Sequence, residues 1–385
     1  MKTLSLDTAR RILCDLIEIR TVNPMGNGYT RAETVECEAL DYIDALFKPY
    51  SVPTARHRCS PIHENLLITI PGKNASDLTL LESHVDTVPA DDWPETAFVP
   101  RSDGCLVYGR GACDDKGSLT SMILAVLDLL ESGTVPPHPV ALLAAGDEEY
   151  AQTGIKFFAG LDYPIGRAIV GEPTGLSPIL QHKGTVRWDI TVHGRSAHTA
   201  RPELGSNAIA GAVRAISLIG QHEEHLRGNF LNPLTKPPTI TVTMIHGGRT
   251  RNAVPDECTF SVDFRVVPGM DPAAARQTLI DRLANTDLQL THREAQLVTP
   301  PLNSPREHPF NQAVLRICRS ATGMSEMEFA GAPYGTDAAW VADRGPAVVL
   351  GPGSIEFAHA VDERVPLDEV VKCAAVYRDI LITEF

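Results

Sequence analysis

The sequence predicts an α/β fold, a mainly parallel sheet with helices on both faces, into which a smaller ferredoxin-like α+β domain is inserted. Three observations predict it. Up to about residue 178, short continuous apolar runs alternate with helical periodicity, as in parallel sheets buried on both faces. Beyond Leu180 the apolar residues recur at every second position, the mark of strands with one wet face. Past a proline-rich stretch, Val298 to Pro309, the first pattern resumes. The 385 residues also exceed what one core usually serves. The expected boundaries are 1–178 and 298–385 for the larger domain and 179–297 for the insertion.

Leu4 to Arg20 reads as an amphipathic helix with Ala9, Ile12, Leu13, Leu16 and Ile17 on one face. Asn23, Pro24, Gly26 and Gly28 make Thr21–Tyr29 a loop, and a second helix is expected from about Arg31 to Phe47. A strand over Asn65–Ile70 precedes the turn at Pro71-Gly72. The next buried strand starts at Thr79, runs into Ser83-His84-Val85-Asp86 and is closed by Pro89. The glycines of Gly109–Gly117 permit a tight loop. Leu119, Met122, Ile123, Val126, Leu127 and Leu130 then define a helix stopped at Gly133. Val140–Ala145 and Ala168–Val170 are buried strands, capped by Asp147-Glu148-Glu149 and by Gly171-Glu172-Pro173-Thr174.

In the insertion, three stretches alternate: Val186 to Val192, Ile240 to Met244 and Phe260 to Val266. With helices from about Ser206 to Ile219 and Pro272 to Leu283, and a strand near Leu288–His292, the order is strand, helix, strand, strand, helix, strand. The larger domain resumes with the strand Ala347–Leu350, the turn Gly351-Pro352-Gly353, His359, and a last helix from Leu367 to about Ile382.

Hydrophobic residues make up 43% and charged residues 21%, a globular balance. Asp+Glu number 48 against 34 Lys+Arg, and the formal net charge of -14 argues against nucleic acid or a membrane surface as partner. A bound divalent metal would offset part of it. The 8 cysteines are scattered with no Cys-x-x-Cys, which argues against a thiolate zinc finger. Asp7, Arg10, Arg11, Asp15 and Glu18 interrupt the N-terminal helix, unlike a secretory leader, and no apolar run is long enough to span a bilayer. The expected location is the reducing cytoplasm.

His84 and Asp86 lie two apart, so in an extended chain they face the same side. A carboxylate that accepts an imidazole N–H fixes the tautomer and makes the other nitrogen a better metal ligand. Ligands bind at strand ends in open α/β sheets. Asp114, Glu148, Glu149, Glu172 and His359 each stand at a strand end or in a Gly-rich loop. Three consecutive acids after a buried strand are costly unless something cationic sits beside them. Taken singly, each signal has a plainer reading: a core histidine, a solvated acidic loop, or acids favoured before a helix N-terminus at Asp114 and Asp115.

Three decoys fall away. Gly109-Arg110-Gly111 lacks the third glycine of a dinucleotide loop. His222-Glu223-Glu224-His225 spaces its histidines by three rather than four and reads as an exposed helix end. No Gly-x-Ser-x-Gly elbow is present.

Five motifs together, Ser83–Pro89, Gly109–Gly117, Asp147–Glu149, Gly171–Thr174 and Gly351-Pro352-Gly353 leading to His359, resemble the co-catalytic zinc deacylase and exopeptidase family over nearly the whole chain. The resemblance implies two Zn2+ per subunit, with Co2+ or Mn2+ as substitutes. His84, Asp114 and Glu172 would hold one ion, and Asp114, Glu149 and His359 the other, with Asp114 bridging. Asp86 would orient His84, and Glu148 would be the general acid/base. The resemblance also implies a cis peptide between Asp114 and Asp115. The larger domain would then be the metal-binding catalytic domain, and the insertion a dimerisation and lid domain forming a homodimer. His198 would reach the partner subunit's active site and stabilise the oxyanion. Asn252 and Arg265 would bind the substrate carboxylate. Without the resemblance, His198 is a surface loop histidine and Arg265 a partner for Asp263.

Within the family, Glu172–Pro178 with His182-Lys183-Gly184, Ile245–Gly248 before Asn252, and Leu350–Ile355 before His359 are similar to acetylornithine deacetylase. Two positions depart from it. Ser83 stands where the family usually has glycine, and Asp115 where these deacetylases usually have methionine, as in the dipeptidase branch. The implied reaction is metal-dependent hydrolysis of the amide of a small N-acyl amino acid, foremost N-acetylornithine to ornithine and acetate, in arginine biosynthesis. The alternatives are a succinyl-diaminopimelate desuccinylase, a dipeptidase or a carboxypeptidase. A non-catalytic metal-binding scaffold is the reading from another class, and the intact Glu148 argues against it.

Overall fold

The computed structural model describes residues 3–74, 76–93 and 95–385. The chain divides into two compact units. One comprises the chain up to Leu180 with Ser304–Ala330 and Thr336–Phe385, the other Gln181–Asn303 with Gly331–Gly335.

In the larger unit, α1 (Leu6–Glu18) starts at Ser5, whose hydroxyl accepts the Thr8 N–H, and buries the face its periodicity marks. α2 (Cys37–Phe47) begins six residues after the Arg31 expected from sequence. The preceding backbone is engaged elsewhere: Val35 N–H donates to the Ile62 carbonyl, and the Thr34 hydroxyl donates to Glu64 at 2.6 Å. β1 (Thr54–Arg58), β2 (Glu64–Ile70) and β3 (Leu78–His84) follow, then two short strands, β4 (Arg101–Ser102) and β5 (Leu106–Tyr108). α3 (Lys116–Ser132) is buried nearly all round and ends on Gly133 at φ 66°, a left-handed cap that glycine adopts without penalty. β6 (Val140–Ala145), α4 (Thr153–Ala159), β7 (Ile165–Val170) and β8 (Ile179–His182) complete this segment.

The smaller unit carries β9 (Gly184–His193), α5 (Ala208–Asn229), β10 (Thr239–Gly247), β11 (Glu257–Val266), α6 (Pro272–Ala284), β12 (Gln289–His292), β13 (Leu297–Thr299) and β14 (Leu302–Asn303). Its sheet runs β10-β11-β9-β12, all antiparallel, which with the two helices is the ferredoxin-like arrangement. Trp188, Ile190, Phe260 and Phe264 pack with Ala212, Ile219, Leu279 and Leu283. α5 runs ten residues beyond the Ile219 expected, so the His222–His225 segment lies inside it and not at its end. His222 is buried, because the continuing helix turns it to the core side, whereas His225 is exposed. The region expected to be a plain return linker contains β13 and β14, and β13 pairs with β9.

The chain then forms α7 (Pro309–Thr322), β15 (Ala330–Ala332), β16 (Ala347–Val349), β17 (Arg364–Pro366) and α8 (Leu367–Ile382). The main sheet of the larger unit has the order β1-β2-β6-β3-β7-β16. The β6-β3-β7-β16 part is parallel, and β1 and β2 form an antiparallel edge. Central β3 is buried at every residue, the polar Glu82, Ser83 and His84 at its end included. His84 pairs with Ala145 and Glu82 with Val170, so β6, β3 and β7 end close to one level. Among the described residues no helix is long and apolar enough to cross a membrane.

Candidate metal centre

The carboxyl ends of β3, β6 and β7 present His84, Glu148 with Glu149, and Glu172. Asp114 stands two residues before α3, and His359 lies in the loop after β16. Residues far apart in sequence meet here. His84 Nε2 is 3.0 Å from Asp114 Oδ1, and His359 Nε2 is 3.2 Å from Asp114 Oδ2. Each oxygen of one carboxylate thus faces a different imidazole. His359 Nε2 is also 3.2 Å from Glu149 Oε2. His84, Asp114 and Glu149 offer donor atoms within 4.8 Å of one another, as do His84, Glu148 and Glu172. The Asp114–Asp115 peptide is cis. Gly351 is required by crowding: a β-carbon there would collide with the Glu172 carbonyl oxygen and the Ser118 hydroxyl.

The electrostatics are those of a site built around cations. Burial works against the Asp114 carboxylate, yet hydrogen bonds from His359 and His84 hold it ionised and below the ordinary range. Burial and then the nearby Asp114 push Glu172 well up. Glu148 is raised by burial and by Asp337. Four carboxyl groups and two imidazoles so close together are costly unless positive charge is shared among them. Two histidines with carboxylates suit zinc or a similar borderline dication, so the donor set fits a pair of such ions.

Hydrogen bonds donated to Asp114 and Glu149 raise His359 to about 10 in the metal-free protein, and Asp114 raises His84 well above its usual value against the effect of burial. His359 therefore carries a proton at neutral pH, and a metal has to expel it. Zinc uptake at pH 7 should release protons, and affinity should rise with pH. The sign for the metal-free fold is the reverse. The raised His359 contributes stability that is complete below ~6.5 and lost as pH rises through about 10. Calorimetric titration with Zn2+ in buffers of different ionisation enthalpy measures the release; a binding heat that does not depend on buffer would refute it.

The role expected of Asp86 takes another form. Its carboxylate Oδ1 is 3.7 Å from His84 Nδ1, beyond hydrogen bonding, and it is the Asp86 backbone carbonyl that accepts from Nδ1, at 3.0 Å. The carboxylate turns to the neighbouring loop instead. Oδ1 accepts the Glu148 N–H at 3.1 Å and Oδ2 the Glu149 N–H at 3.3 Å. Backbone amides that would be orphaned after β6 are satisfied in this way. Asn23 Nδ2 braces the same loop, donating to Asp86 Oδ2 and Asp147 Oδ1 at 2.9 Å each. Gln152 Nε2 donates to Glu148 Oε1 at 3.0 Å, and Trp340 Nε1 holds the Gln152 oxygen at 2.9 Å, which fixes the amide with its NH2 toward the acid. Asn23, Gln152 and Trp340 escaped the sequence reading; only the proximity of Gln152 to Glu148 gave a local signal.

The two departures from the deacetylase pattern prove to be partners. Ser83 Oγ donates to Asp115 Oδ2 at 2.5 Å, and both side chains are 0% exposed. In the smaller unit, His198 and Asn252 lie on adjoining loops: His198 bridges to Ala253, and Thr199 N–H donates to the Asn252 carbonyl at 3.1 Å. Asn252 and His198 are both exposed. Arg265 lies on the polar face of β11, with Nε 2.7 Å from Asp263 Oδ1.

The profile described as peptidase family M20/M25/M40 matches residues 80–383. An acetylornithine deacetylase of Myxococcus xanthus is 32% identical over 353 residues, covering 88% of this chain and 89% of that protein. One of Klebsiella pneumoniae (strain 342) is 33% identical over 321 residues, covering 81% and 80%. Among solved structures, an M20 family metallo-carboxypeptidase of Sulfolobus solfataricus superposes with a TM-score of 0.79 at 18% identity, covering 97% of this chain and 98% of that one. With most of its length matched by the profile and by relatives at this identity, the chain belongs to peptidase family M20/M25/M40, a family of metal-dependent hydrolases.

Proposed function

We propose that this chain hydrolyses the amide bond of an N-acyl amino acid, N-acetylornithine foremost, and releases ornithine and acetate in arginine biosynthesis. One observation carries the reading: the two oxygens of Asp114 face His84 and His359 separately, and Glu148 stands alongside. His84, Asp114 and Glu172 would hold one Zn2+, and Asp114, Glu149 and His359 a second. When bound, the ions polarise the scissile carbonyl and acidify water.

The remaining work belongs to side chains. Glu148 takes the proton of the attacking water and delivers it to the leaving amine. Its raised proton affinity supports both halves of that task. Asp86 and Gln152 keep it in place through the amide and carboxylate bonds described above. We assign His198 to the oxyanion that develops in the partner subunit's active site. Asn252 and Arg265 are assigned to the substrate carboxylate, which an arginine can grip with two parallel hydrogen bonds.

The deacetylase relatives support the choice of substrate. The dipeptidase-like Asp115 does not weigh against it. Ser83 and Asp115 are wholly buried and bonded to each other, so their departure concerns packing behind the centre and not the surface a substrate meets. The test is zinc-loaded protein against N-acetyl amino acids, N-succinyl-diaminopimelate and dipeptides. N-acetylornithine should give the highest kcat/KM. A preference for the succinyl compound or a dipeptide would replace the substrate, and no hydrolysis of any would favour the scaffold.

A further inference from the structure

Arg110 and Glu363 form a buried ion pair that no step of the proposed chemistry uses. Arg110 is 1% exposed and Glu363 0%, and Nη1 donates to Oε2 at 2.6 Å. Such a pair is weak evidence for stability, because desolvation offsets the attraction. What it holds besides itself is more telling. Glu363 Oε1 accepts the backbone N–H groups of Cys113 and Asp114, at 3.0 Å each. Arg110 turns toward the carbonyls of the other ligand loop, Nη2 to His359 and Nη1 to Ala360, both at 3.4 Å.

Neither loop is fixed by regular structure at its ligand. Asp114 lies in the turn before α3, and His359 has φ 62°, a left-handed conformation that a residue with a β-carbon keeps only when its surroundings hold it. Gly109 and Gly111, at φ 153° and 85°, give the backbone the course that brings Arg110 inward between them.

We propose that the Arg110–Glu363 pair is the positioning device of the metal centre, fastening the Asp114 loop to the His359 loop so that the carboxylate stays between the two imidazoles. The inference rests on the two-metal reading above. Arg110 acts through His359 and Glu363 through Asp114, so the site shared by Asp114, Glu149 and His359 depends on both.

The experiment is zinc affinity, measured by competition with a chromogenic chelator, together with bound zinc by mass spectrometry and melting of the metal-free protein. Wild-type protein is measured first; if it takes up no zinc, the two-metal reading fails, and with it the ground for this inference. Arg110→Lys keeps a cation opposite Glu363 but replaces a planar fork with one compact ammonium that cannot reach Glu363 and both carbonyls together. It should weaken one of the two zinc sites by about 10–100-fold and leave the other, the usual cost of losing a group that orients a ligand. The double variant Arg110→Leu/Glu363→Gln removes both charges at once, and the carboxamide oxygen it introduces can still accept the two backbone N–H groups. It should melt near wild type and show the same loss of zinc. Wild-type zinc affinity in either folded variant overturns the proposal, with or without a lower melting temperature. If the double variant does not fold, Arg110→Lys alone decides.

Discussion

Glu148→Ala is expected to lose about 10²–10⁴-fold in kcat while binding zinc as tightly as wild type. The proposed reading makes Glu148 a proton shuttle and not a ligand. Its amide is anchored by Asp86 and one carboxylate oxygen is engaged by Gln152. Burial and Asp337 raise its proton affinity, which suits a group that must both accept and return a proton near neutral pH. Because Glu148, His84 and Glu172 lie within one 4.8 Å group, distance alone does not separate base from ligand. The pairing of kinetics with metal content does. Near-wild-type turnover would reject the shuttle, and loss of one zinc with the activity would move Glu148 into the ligand set.

Asp114→Ala should lose both ions and all measurable turnover. The Asp114 carboxylate faces both histidines, at 3.0 Å and 3.2 Å. On the proposed reading, removing it would take a ligand from each ion at once, so affinity should fall by more than the roughly 10–100-fold typical of an outer partner. His359→Ala is the contrast, since it touches one side only and should leave one ion bound. Elemental analysis after dialysis measures the difference. Two zinc ions retained in Asp114→Ala would show that the carboxylate does not bridge. The substitution also removes the largest cause of the raised His359, so the alkaline loss of stability of the metal-free protein should move to lower pH.

The elements that escaped the sequence reading did so for identifiable reasons. β1, Thr54-Ala55-Arg56-His57-Arg58, is an edge strand without a buried face, so it offers no apolar alternation. α7 begins on Pro309, the last residue of the proline-rich stretch, and proline is well tolerated in the first helical turn. α2 begins late because tertiary bonds to the 60–64 loop compete with the helix for the backbone before Cys37.

The sequence by itself determined the alternation of buried strands and helices, the switch to a period of two in the insertion, and the candidate ligands. All of these are local: an apolar run reports a strand, and an acid or histidine at its end reports a site. Only the tertiary structure decided that the Asp86 carboxylate holds the Glu148–Glu149 loop while its backbone carbonyl takes the His84 ring, that Ser83 answers Asp115, and that Arg110 meets Glu363. Periodicity records whether a side chain is buried, but not against what. A hydrogen bond between residues tens to hundreds of positions apart leaves no trace in either neighbourhood until the chain has closed on itself.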